Sequence, residues 1–121
     1  MLAFLDEAAR GRILGAQGLK RFTERTICDR VALERDFEEI RRTGIAEDRE
    51  EFQPGVWCLG APIRDRFGAV VASVSCSVPT FRAEPDIMDT IRREVLEAAQ
   101  AISDYLGGKP AQDQTFQGEK P

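Results

Sequence analysis

The sequence predicts an α+β domain, and three observations predict it. Two runs with period-two alternation, Val56 to Ile63 and Ala69 to Val78, flank a short turn, the pattern of a β-hairpin. A long run from Asp86 to Leu106 repeats its apolar residues at helical spacing. The chain has 121 residues, enough for one domain around one core.

Taken in order, Met1 to Ala9 (MLAFLDEAA) is apolar from its first residue, with no capping residue ahead of it. It reads as a short amphipathic opening helix, and the chain is expected to begin partway along an element. Leu14 to Phe22 is expected to hold a second helical turn with Leu19 and Phe22 inward. ERTICDR follows as a loop. Asp29 is placed to cap a helix over Val31 to Thr43, where Leu33, Phe37 and Ile40 recur at helical spacing. Glu34, Glu38, Arg41 and Arg42 are expected to face water, and Gly44 stands where helices end in left-handed geometry.

Ile45 to Asp48 is expected as a short strand, and REEFQPG as a polar loop broken by Pro54 and Gly55. In the strand Val56 to Ile63, the odd positions Trp57, Leu59, Ala61 and Ile63 form the bulkier side. The even positions Val56, Cys58, Gly60 and Pro62 are small. RDRFG is the hairpin turn, and PTFRAEP is the loop before the last helix. That helix, Asp86 to Leu106, is expected to bury Ile87, Ile91, Val95, Ala98, Ala99, Ile102 and Leu106, with Pro85 in its first turn and Gly107 at its end. Residues 1–107 are expected to be the domain, and 108–121, rich in Gln, Lys, Pro and Gly, a disordered tail. A sheet of two or three strands is thin, and is expected to be incomplete.

Composition excludes several functions. With 17 basic and 21 acidic residues the net charge is −4, which argues against non-specific nucleic-acid binding through this segment. No stretch approaches a membrane span and no signal sequence opens the chain, so a cytoplasmic location is expected. Three cysteines, Cys28, Cys58 and Cys76, are an odd count and read as free thiols. There is no histidine, so Ser–His–Asp and Cys–His catalysis are excluded. Neither a metal site nor a cofactor is expected. GRILGAQG lacks the lysine of a phosphate loop. Cys58 as a nucleophile would have only carboxylates or lysines to assist it, so the chain is not expected to be an enzyme.

The hairpin's second strand poses the functional question. One face carries Val70, Ala72, Val74, Cys76 and Val78; the other carries Val71, then Ser73, Ser75 and Ser77. Serines on the wet side of a half-buried sheet need no explanation. Yet Thr, Lys, Glu and Arg, which usually occupy such faces, are absent between Gly68 and Pro79. With Cys58 and Gly60 on the neighbouring strand, the serines form a floor of small groups whose hydroxyls can donate to a carboxylate. Cys76 reads as a core residue, whereas Cys58 reads equally as core filler or as lining. The acidic run Glu47 to Glu51 reads as a solvated loop, and Asp48 matters only if that loop folds over the serine face.

These residues also resemble a known pattern. An I-R-x-x-G-[YI]-A turn falls on Ile40 to Ala46, and an E-E-x-x-x-G-V segment on Glu50 to Val56. A C-[LIV]-[AG]-A-P-[IV] strand falls on Cys58 to Ile63, a D-x-x-G turn on Asp65 to Gly68, and a V-A-[AS]-[LIV]-S-[LIV]-S strand on Val71 to Ser77, with Cys76 at its second [LIV] position. In this order the chain is similar to the C-terminal effector-binding domain of IclR-type transcriptional regulators, over about Met1 to Gly107. The resemblance implies a GAF-like fold with a small acidic metabolite bound over the sheet. It also implies effector contacts from Asp48, Cys58, Ser75 and Ser77, with backbone amides near Gly60 and Ala61. DNA would be bound only through an N-terminal helix-turn-helix domain that is absent from this chain. A homo-oligomer is the expected assembly. The competing expectation is an oligomerisation core, or a regulator fragment that binds no ligand.

Overall fold

Two aspartates and a proline start the three helices. The computed structural model describes residues 1–107; the expected tail lies outside them. Helix α1, Glu7–Gln17, begins where the Asp6 carboxylate accepts from the Ala9 amide at 2.7 Å. Helix α2, Arg30–Thr43, is capped the same way by Asp29, from the Ala32 amide at 2.8 Å. It ends at Gly44, whose φ of 75° is the left-handed geometry expected there. Helix α3, Pro85–Tyr105, has its proline in the first turn, where no amide partner is lost.

Strands β1 (Ala46–Arg49), β2 (Val56–Arg64) and β3 (Val70–Pro79) form one antiparallel sheet in that order. The β2–β3 turn is held by Asp65, whose carboxylate accepts from the Phe67 and Ala69 amides. Helix α3 packs on one face of the sheet. Its Met88, Val95 and Ala99 meet Leu59, Ala61 and Val78 in the main core, and Leu59 is completely buried. A second cluster, Ala3, Leu14 and Phe37 with Leu19, Leu33 and Ile40, joins the opening turn and α1 to α2.

Four expectations are corrected. Near the N-terminus, Leu2–Phe4 is a single 3-10 turn, and one helix, Glu7–Gln17, replaces the two expected pieces because Asp6, inside the apolar run, is its cap. Gly11 and Gly15 sit within that helix and weaken its periodic signal. Phe22 is not inward; it is 53% exposed and its ring meets Phe52 at 5.0 Å. On α3 the buried line is Met88, Val95, Ala99 and Ser103, while Ile87, Ala98, Ile102 and Leu106 are exposed. The stripe is rotated because Ser103 is drawn in, its hydroxyl accepting from the Arg64 amide at 2.9 Å and donating to the Ala99 carbonyl at 2.7 Å. Finally, Glu34 does not simply face water. It pairs with Arg10, a nearly buried arginine that also donates to the Leu5 carbonyl and lies over the Phe37 ring. Arg10 is the chief cause that holds the Glu34 carboxyl below its ordinary range.

Candidate functional site

Strand register assembles the expected residues. Asp48 on β1 stands opposite Cys58 on β2, and Cys58 stands opposite Ser77 on β3. The next row is Ala46, Gly60 and Ser75, followed by Pro62 and Ser73. Residues directly opposite in an antiparallel pair point to the same face, so all three rows lie on the side away from α3. Cys58 Sγ and Ser77 Oγ are 3.2 Å apart, within reach of a hydrogen bond with either atom as donor.

Asp48 reaches this face from within β1, not from a loop folded over it. The acidic run thus divides between a strand and a turn. The Asp48 Oδ1 atom accepts from the Glu51 amide at 2.7 Å, and its other oxygen has no protein donor among the described residues. The turn is fixed from outside. Thr23 donates to the Glu50 carbonyl at 2.7 Å, Thr26 donates to the Glu51 carbonyl, and Arg25 pairs with Glu50 at 3.2 Å. Glu50 itself adopts a φ of 60°, and its side chain accepts from the Gly55 amide. These contacts oppose the strain of a left-handed non-glycine residue.

Gly60 lies in the middle of the face. A Cβ there would meet Ser75 Cβ and the Val74 carbonyl at 3.7 Å, an ordinary contact, so packing alone does not demand glycine. Ala61 points the other way, buried at 2% exposure in the core, and can contribute only through its main chain. Ser73, Ser75 and Ser77 are exposed. The expected vacancy over the floor is therefore an open shelf and not an enclosed pocket. The physical reason is layering: α3 covers one face, and α1 and α2 bury their apolar residues in a separate cluster.

The larger cleft, about 710 Å³, lies elsewhere, between α2, β1 and α3. Its charged lining is Asp36, Glu39, Glu47, Glu51, Arg25, Arg49 and Arg92. Burial works to raise the Glu47 pKa, but hydrogen bonds from Arg92 and Arg49 outweigh it and hold the carboxyl below its ordinary range. Glu51 goes the other way, raised by burial and by the negative charges of Asp48 and Asp36. Asp36 is also raised, chiefly by burial, with Arg49 opposing. Sequence reasoning missed this cleft. Its one legible sign was Arg92, a charge four residues after Met88 and three before Val95, on the helix's buried line.

Comparison with known proteins supports the resemblance. Residues 1–104 match the family model described as the bacterial transcriptional regulator IclR C-terminal domain. The HTH-type transcriptional regulator KdgR of Escherichia coli is 36% identical over 107 residues, which are 88% of this chain and 41% of that protein. The repressor AllR of Klebsiella pneumoniae is 41% identical over 96 residues, 79% of this chain and 35% of that protein. The crystal structure of the E. coli KdgR C-terminal domain superposes with a TM-score of 0.80 at 37% identity, covering 88% of this chain and 65% of that one. The Thermotoga maritima IclR structure gives a TM-score of 0.80 at 36% identity, covering 88% and 43%.

The chain belongs to the IclR family of bacterial transcriptional regulators, through its C-terminal domain. Its curated relatives are regulators and not enzymes, and the chain spans well under half of their length. No helix among the described residues is long and apolar enough to cross a membrane.

Proposed function

We propose that the chain is a ligand-sensing module, which binds a small carboxylate metabolite on the shelf of Asp48, Cys58, Gly60, Ser75 and Ser77. The observation that carries this reading is the cross-strand row Asp48–Cys58–Ser77. The chemistry of the row orients the ligand. Serine hydroxyls donate, so the carboxylate belongs at the β3 end. The Asp48 carboxylate only accepts when ionised and repels an anion, so it faces a ligand hydroxyl. Two strand spacings separate the ends, roughly 10 Å, which suits a compact hydroxy acid that carries its hydroxyl away from its carboxylate. Main-chain amides near Gly60 and Ala61 are further donors in this reading.

Occupancy then shifts a two-state equilibrium that controls DNA binding by a helix-turn-helix domain outside this chain. The setting is cytoplasmic and the assembly a homo-oligomer. Calorimetric titration with pyruvate, lactate and 3-hydroxybenzoate tests the ligand class. Saturable heat that disappears in the Ser75→Ala, Ser77→Ala double variant is expected. Binding that survives the double variant contradicts the proposal.

One observation favours a second reading. The shelf is uncovered, and β3 is a ten-residue edge strand without a charged side chain. Such an edge invites pairing with another chain. An oligomerisation core that binds no ligand would sediment as an oligomer and give no heat with any of the three acids.

A further inference from the structure

A smaller cavity, about 230 Å³, opens where β1 stops short of β2. Pairing to β1 ends at Gly60, so the stretch from Ala61 to Arg64 faces the end of α2 and the last turns of α3. The lining includes Arg41, Arg42 and Arg64 and no aspartate or glutamate. In a chain of net charge −4, that is a local reversal of sign. It shares none of Asp48, Cys58, Ser75 or Ser77 with the shelf.

The three arginines are not equivalent. Arg42 is committed to Glu39 through two of its nitrogens. Arg41 and Arg64 have no carboxylate partner among the described residues, and backbone contacts orient them instead. Arg41 donates to the Ala3 carbonyl at 2.7 Å. Arg64 donates to the Gly68 carbonyl at 2.9 Å, and its guanidinium lies 5.0 Å from the centre of the Phe4 ring. A guanidinium that donates one N–H to a carbonyl keeps its other N–H groups, and it loses little freedom when an oxyanion arrives. Ser103 contributes wall only, since its hydroxyl is already satisfied.

The end of α2 opposes an anion here, with a dipole equivalent to roughly half a negative charge. Two of its carbonyls are already taken: that of Ile40 by the Gly44 amide, and that of Glu39 by the Thr43 hydroxyl. Two uncommitted positive charges exceed what remains.

We infer that this cavity is a second binding site, for a compact dianionic oxyanion group carried as a phosphate or as a small dicarboxylate. Its volume is below the roughly 300–1,000 Å³ of sites for drug-sized ligands, which excludes a nucleotide.

The test titrates the whole chain with inorganic phosphate and with succinate, against sodium chloride at matched ionic strength. The arginine side-chain resonances are followed by NMR. Saturable shifts of the Arg41 and Arg64 signals are expected with phosphate, succinate or both, and the arm that responds names the source. Arg41→Gln and Arg64→Gln should each weaken binding about tenfold or more, the loss of a charge-assisted hydrogen bond. Arg42→Gln should weaken it less. If Arg64→Gln fails to fold, Arg41→Gln alone decides. The Ser75→Ala, Ser77→Ala variant should bind phosphate normally, which separates this site from the shelf. Shifts no larger than those with chloride overturn the inference. So does binding that is insensitive to Arg41→Gln, or that is lost in the serine variant.

Discussion

Cys58 and Ser77 touch across β2 and β3, sulfur to oxygen at 3.2 Å, on the face that α3 leaves uncovered. The contact joins the residue whose sequence reading stood open to the serine row, and it puts Cys58 on the row's side of the sheet. Cys76, two positions from each of Val74 and Val78, packs against the opposite core as expected.

Gly60 separates the demands of fold and ligand. A methyl group there makes only ordinary contacts, and glycine inside a strand costs about 0.5–1 kcal/mol relative to alanine. Gly60→Ala should therefore leave urea stability unchanged or raise it by up to about 1 kcal/mol. Gly60→Val should fold and lose carboxylate binding, as measured by calorimetry.

The pair of Arg92 and Glu47 ties α3 to β1 beside the large cleft. Because the folded-state pKa of Glu47 is depressed, its contribution is present above its ordinary value of 4.5 and is lost as pH falls through the folded value. Glu47→Gln should lower the melting temperature at pH 7. The gap to the parent should narrow as pH falls below 4.5 and close once pH has passed the depressed folded value. Solvent screening keeps the effect to roughly 1 kcal/mol or less.

Glu51 and Asp36 carry the opposite sign. Their folded-state pKa values lie above the ordinary 4.5 and 3.8, so their stability contribution is complete below those values and is lost as pH rises through the folded ones. Glu51→Gln and Asp36→Asn should raise the melting temperature at pH 7 and leave it unchanged near pH 3. A loss of stability at pH 7 would mean that these carboxylates are held by favourable partners.

Leu59 is the completely buried side chain between the sheet and α3. Leu59→Ala should cost about 2–5 kcal/mol. In a domain with a three-stranded sheet that is a large share of the total, so the urea midpoint should fall steeply.

The hairpin was legible to within a residue at its ends, because alternation over eight or more positions is a strong signal and Asp65 and Gly68 mark the turn. The limits of α2 and α3 were legible through Asp29, Gly44 and Pro85. Helix α1 was not, because its cap hides in an apolar run and two glycines dilute its pattern. The row from Asp48 to Ser77 follows from period-two spacing once the strands pair. That Asp48 belongs to β1 depends on register, which single-strand patterns do not specify. The openness of the shelf and both cavities arise from how separate elements are layered, and periodicity within one element carries no record of that.

The most direct measurement is the alkylation rate of Cys58, followed by mass spectrometry with and without a saturating small hydroxy acid. Selective slowing at Cys58, with Cys28 and Cys76 unaffected, is the expected result. An unchanged Cys58 rate at a concentration where calorimetry shows saturation would place the ligand somewhere other than the shelf.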